Sequence, residues 1–155
     1  TLPEWVALMP VFTVMLIVSN FSSGLAIDRF GVGRVVIAYM LPFMLGFWIL
    51  ATAETLGMAA LGLGIVAIGQ GMQATVPGAF WAVYFGTRHL GAIKAASTAI
   101  MVLGSAIGPG VTGYLIDWGL DFPAQMHAIS VYFALAAVCT TVGILRARTA
   151  LPAAA

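Results

Sequence analysis

Charged side chains fall along the chain at long intervals, and the stretches between them are overwhelmingly apolar. Residues 5–27 hold 23 positions without an acidic or basic side chain, and residues 35–53 hold 19. Residues 55–87 hold 33, residues 95–116 hold 22, and residues 122–145 hold 24. A helix needs about 20 apolar residues to cross ~30 Å of hydrocarbon, so each gap fits one crossing and none comfortably fits two. The pattern predicts an all-α membrane protein with five transmembrane helices, over approximately 5–26, 35–53, 57–86, 94–116 and 124–146. The third gap is longer than a crossing requires, reaching about 50 Å at ~1.5 Å per residue. Its helix is expected to loop, fray or tilt, with ends near Thr55–Gly57 and Phe85–Thr87. Gly31–Val32–Gly33 predicts a tight turn, and so do Trp118–Gly119 and Phe122–Pro123. No strand alternation interrupts this pattern.

The few charges also predict an orientation. In a five-crossing zigzag, Arg29, Arg34, Arg88, Lys94, Arg146 and Arg148 all fall on one side. Glu4, Glu54, Asp117 and Asp121 fall on the other, leaving Asp28 alone among the cations. Positive residues mark the cytoplasmic face, so the carboxyl end is expected inside and the amino end outside. An odd helix number with an exported amino end implies that further chain precedes it. The opening Thr-Leu-Pro-Glu has neither a methionine nor the basic flank of a secretory signal, in line with a piece of a longer polypeptide.

Composition closes off other classes. Of the 155 residues 62% are hydrophobic and 7% charged, against about 25% charged in an average soluble domain. So few charges do not cover a soluble exterior, and a net charge of +1 offers no field to attract nucleic acid. The single cysteine, Cys139, excludes an intrachain disulfide. Metal-ligand spacing, nucleophile elbows and phosphate-binding loops are absent from the sequence, so no enzyme activity, metal or cofactor is expected. His89 and His127 are expected at opposite membrane faces as interfacial groups.

Polar side chains inside spans are costly and therefore informative. Gln70, Gln73, Pro77, Trp81 and Tyr84 fall within a sector of about 80° on the third span. Pro77 frees the Gln73 carbonyl, which adds an acceptor beside two amides. This stripe is a candidate substrate site, with Gln70, Gln73 and Trp81 as binding groups. The bland alternative is that the glutamines bond neighbouring helices and the aromatics belong to the interfacial belt. On the first span, Thr13 and Asn20 share a face; Asn20, near the inner end, suits a gate or a helix contact. On the fourth, Gly104 and Gly108 form a small-xxx-small face for close helix approach, and Pro109 predicts a kink by freeing the Ser105 carbonyl. No ionisable side chain lies within a span, so any proton-coupling group must sit at a helix end or upstream.

The first inner loop reads Gly24-Leu-Ala-Ile-Asp28-Arg29-Phe-Gly31-Val-Gly33-Arg34. It resembles the signature loop of the major facilitator superfamily, with matches at Gly24, Asp28, Arg29 and Gly31. It departs at Ala26 and at Val32–Gly33, which displace the next arginine to Arg34. The run Gly104-Ser-Ala-Ile-Gly108-Pro109-Gly110-Val-Thr-Gly113 is similar to the glycine-proline motif of that family's exporters. The resemblance implies that the five helices correspond to helices eight to twelve of a carboxyl-terminal six-helix bundle. It further implies a secondary transporter of a bacterial inner membrane, moving a small organic solute by alternating access, coupled to an ion or proton. Its partners would be the substrate, membrane lipid and the amino-terminal half of the same transporter. Asp28 with its arginines would then act as a cytoplasmic latch. A membrane subunit without transport activity, using its glycine faces only for helix association, is the other class left open.

Overall fold

The computed structural model describes residues 7–150, with side chains through residue 147. Among the described residues six helices follow one another: α1 (Met9–Phe30), α2 (Val32–Ala38), α3 (Met40–Ala51), α4 (Leu56–Phe85), α5 (Leu90–Asp117) and α6 (Phe122–Ala150). Together α2 and α3 form one unit, Val32–Ala51, so five segments are long and apolar enough to cross a membrane. No strand occurs among the described residues.

Local chemistry sets the boundaries. The expected turn at Gly31–Val32–Gly33 contracts to one residue, because Gly31 adopts φ +79° and its N–H closes on the Ile27 carbonyl at 2.9 Å. A positive φ of this kind favours glycine, and Val32 and Gly33 are thereby freed to begin α2. The second span, expected to be continuous over residues 35–53, is interrupted at Tyr39. Pro42 lacks the N–H that would have bonded the Ala38 carbonyl, and Tyr39 keeps helical φ −70° and ψ −16°, so the interruption is local and the span continues through it. For α4, the Thr55 hydroxyl accepts from the Met58 N–H at 3.2 Å, and Gly86 at φ +76° ends the helix. Its 30 residues span about 45 Å, so the excess over the hydrocarbon is taken up by tilt or protrusion. Between α5 and α6, Leu120 N–H bonds the Leu115 carbonyl and Gly119 N–H bonds that of Ile116, both at 2.9 Å. With Gly119 at φ +88°, this is a Schellman ending. The Asp121 carboxylate then caps α6 by accepting from Ala124 N–H at 3.0 Å.

Contacts along the helices fix their directions. Against α4, the α1 residues Met15, Ser19 and Asn20 meet Gly64, Ile68 and Thr75 in rising order, so the two helices run parallel. Phe43 and Leu50 of α3 meet Gly69 and Gly62 in falling order, so α3 is antiparallel to α4. Phe133 of α6 stacks on Phe43 at 4.7 Å and on Phe47 at 5.8 Å, and Ser130 donates to the Met44 carbonyl at 2.8 Å. Among the described residues, Arg29, Arg34, Arg88, Lys94 and Arg146 therefore lie at one end of the bundle, and Glu54, Asp117 and Asp121 at the other. Glu4 and the Arg148 side chain lie outside the described residues.

The central helix, α4, is built for two close neighbours. Residues seven apart return to almost the same side of a helix, about 20° short of two full turns. Gly62 and Gly69 form one such pair and Gly64 and Gly71 another, on roughly opposite sides. A methyl group on Gly69 would stand 2.8 Å from Cε2 of Phe43, and one on Gly62 2.9 Å from Cγ of Leu50. On the other side, a methyl on Gly64 would meet Sδ of Met15 at 2.9 Å, while one on Gly71 would overlap the Leu16 carbonyl oxygen. With these glycines, α1 and α3 approach α4 almost backbone to backbone, the means by which helices associate when lipid supplies no hydrophobic drive. At the cationic end Val35, Val36, Val76 and Ile144 complete a small core.

By contrast, α5 stands apart. It buries no residue, and a methyl group on Gly104, Gly108, Gly110 or Gly113 would find nothing within 4 Å. The glycine face expected to seat a helix thus faces open space among the described residues.

Candidate functional site

With two sides of α4 closed by glycine contacts, its third side is left over. That side carries Gln70 and Gln73, both exposed, together with Pro77 and the half-buried Trp81. The first three turns of α5 run antiparallel along it. Between them lies a cavity of about 370 Å³ lined by Gln73, Pro77, Trp81, Lys94, Ser97 and Thr98, among others. Its size falls within the range of small-molecule sites, roughly 300–1,000 Å³. Trp81 is held in place by its neighbours: its ring meets Phe80 at 5.0 Å and Phe85 at 5.4 Å. One face of the indole therefore has a fixed setting beside the cavity, while Phe80 packs against the cationic-end core.

The polar groups lining this cavity are an amide, two hydroxyls, an indole N–H and one ammonium, and no carboxylate accompanies them. The ammonium is well placed. A methyl group on Gly78 would stand 3.5 Å from Lys94 Nζ and 3.6 Å from its Cε, so the lysine lies over the bare backbone of α4 at this glycine. Gly78 is seven residues before the end of α4, about 10 Å along the helix from Phe85.

The other sequence-derived candidates are distributed differently. Gln70 lies on the same face as Gln73 but outside the cavity lining. Asn20 accepts from the Thr75 hydroxyl at 2.7 Å, which makes it a tie between α1 and α4. Thr13 is exposed on α1, donates to the Met9 carbonyl at 2.9 Å and is not part of the cavity lining. Gly24 has open space at its Cβ position, and Asp28, Arg29 and Arg34 are all exposed. Among the described residues Asp28 makes no ion pair with either arginine, and Arg29 instead places its guanidinium 5.8 Å from the Phe30 ring centre. Pro77 and Pro109 both lie within unbroken helices.

Lys94 is the lining residue that sequence reasoning assigned only to topology. A signal was present: Lys94, Ser97, Thr98 and Met101 recur at three, four and seven, a single helical face. Being the last charge before a long apolar gap, Lys94 read as an end marker.

Two of the larger grooves offer less chemistry. The α1–α4 groove, about 400 Å³, is lined by apolar groups and by Ser19, Ser22 and Ser23. Each of these hydroxyls already donates to a backbone carbonyl, at 2.6, 2.7 and 2.6 Å. The α5–α6 groove, about 550 Å³, is apolar apart from Thr112 and Gln125. The Gln125 amide already donates to the Leu120 carbonyl at 3.0 Å. No cluster of three or more His, Cys, Asp or Glu side chains is placed to hold a metal among the described residues. No family model, curated protein or solved structure matches the chain.

Proposed function

We propose that the chain is the carboxyl-terminal part of a secondary transporter of the major facilitator type, corresponding to helices eight to twelve, and that it moves a small organic solute by alternating access. The observation that carries this is the division of labour on α4. Glycines 62, 64, 69 and 71 seal two sides against α1 and α3, while the side bearing Gln73 and Trp81 opens into a cavity shared with α5. An amide exposed at membrane depth is unfavourable against lipid, so a polar stripe that stays exposed beside α5 suits a water-filled or solute-filled path. The signature-like loop and the glycine-proline run supply the family assignment. In this proposal Gln73 and Trp81 contact the solute, Gln70 extends the polar path, and Asn20 sets the packing of α1. Asp28 latches a surface on the partner half, which fits its having no ion pair among the described residues. The bacterial inner membrane, with the cationic end cytoplasmic, is part of the same proposal.

The open glycine face of α5 favours one other class, a membrane subunit that associates through that helix without transporting anything. Solute binding by the full encoded protein separates the two. Gln73→Ala is expected to weaken solute binding about tenfold or more, whereas Ser130→Ala, which removes a buried α6–α3 hydrogen bond, should lower stability and leave affinity unchanged. Equal effects on affinity would make the glutamine face structural and favour the associating subunit.

A further inference from the structure

We infer that Lys94 is a substrate-recognition residue and that the cavity between α4 and α5 selects a small organic carboxylate. The inference rests on the transport proposal and narrows its substrate class. Three features of the cavity carry it.

The first is charge. Lys94 is the one ionised side chain of the lining, and no acidic group accompanies it there. Among the described residues it makes no ion pair elsewhere. A lone ammonium in a cavity without carboxylates favours an anion over a neutral or cationic guest, and Lys94 is exposed, so a solute can reach it. The second is direction. Side chains on a helix lean toward its amino terminus, and a lysine near a membrane surface extends its ammonium outward to the headgroups. For Lys94 both tendencies lead toward the cationic end. Its Cε and Nζ instead lie beside Gly78, about 10 Å inside the end of α4. The third is the remainder of the lining. Gln73, Ser97 and Thr98 supply neutral donors that complement the lysine around a carboxylate, and Trp81 with Met101 offers a flat apolar surface for its body. The charge is single, which fits a monocarboxylate better than a di- or trianion.

The test uses the full encoded protein in detergent and in nanodiscs, with solutes offered as charged and neutral pairs: butyrate with butyramide, benzoate with benzamide. Dissociation constants are measured by calorimetry or by ligand-induced thermal stabilisation. The carboxylate of a pair is expected to bind at least about tenfold more tightly than its amide. Lys94→Gln should abolish that preference, and Lys94→Arg should retain most of it. Carboxylates that bind no better than their amides, or that bind Lys94→Gln as tightly as the wild type, overturn the inference. A neutral amide that binds the wild type more tightly than its carboxylate, and loses that binding in Gln73→Ala, overturns it too, while leaving the transport proposal standing. Lys94-dependent retention of anionic lipid, without any carboxylate preference, assigns the ammonium to lipid phosphate and likewise overturns it.

Discussion

Replacing Gly71 by alanine tests the packing that leaves the third side of α4 open. The added methyl would overlap the Leu16 carbonyl oxygen and stand 2.8 Å from Cβ of Ser19 and 3.0 Å from the Asn20 nitrogen. Two of these three atoms belong to the α1 backbone, so no side-chain rotation relieves the overlap and the helices must separate. Overpacking of this kind costs about 1–3 kcal/mol. Separation also stretches the Ser19–Ile68 hydrogen bond, now 2.6 Å, and the Thr75–Asn20 bond, now 2.7 Å. Interhelical bonds in membranes contribute about 0.6 kcal/mol each, so the pair adds roughly 1 kcal/mol. Alanine returns about 0.5–1 kcal/mol through its lower helix entropy cost. The net expectation is destabilisation by about 1–3 kcal/mol, read from unfolding in a mixed detergent titration. Gly143→Ala is the control, because a methyl there meets nothing within 4 Å. Its expected effect is neutral, or stabilising by up to about 1 kcal/mol. A Gly71→Ala protein as stable as the wild type, or a Gly143→Ala protein that loses as much, would refute the close α1–α4 contact.

Two further outcomes are expected. A double-mutant cycle of Asn20→Ala and Thr75→Ala should give a coupling energy near 0.6 kcal/mol and no more than about 1.7 kcal/mol, measured by the same unfolding titration; zero coupling would remove their hydrogen bond. Asp28→Asn should reduce solute flux in proteoliposomes severalfold while membrane insertion stays at the wild-type level, and unchanged flux would remove the latch.

The charge spacing made the five helices legible, because in a bilayer each ionised side chain is confined to an end. The bounds of α4 followed for the same reason: Thr55 and Gly86 are the capping residue and the turn glycine nearest the flanking charges. The break at Tyr39 was less visible. It lies three residues before Pro42, whose missing N–H disturbs a helix locally without altering its hydropathy. The glycines misled in an instructive way. A three-residue interval between Gly104 and Gly108 stands out in sequence, yet the close approaches are made by heptad pairs on α4. Spacing shows that a glycine face exists, but the neighbour decides whether it is used. Lys94 was legible as a charge and illegible as a cavity group, since the cavity's other wall belongs to a different helix.

The central claim is that the Gln73 face of α4 lines a path opening alternately to the two sides of the membrane. The direct measurement is thiol labelling of Gln73→Cys in a Cys139→Ala background of the full encoded protein, with any other cysteines removed. Membrane-impermeant reagents are applied separately to each side of sealed, oriented vesicles. Ala67→Cys, at a position with 0% exposure, is the buried control. The account predicts that Gln73→Cys is labelled from both sides, that a bound solute slows both reactions, and that Ala67→Cys is labelled from neither. Labelling of Gln73→Cys from neither side, as fast or slow as the buried control, would contradict it.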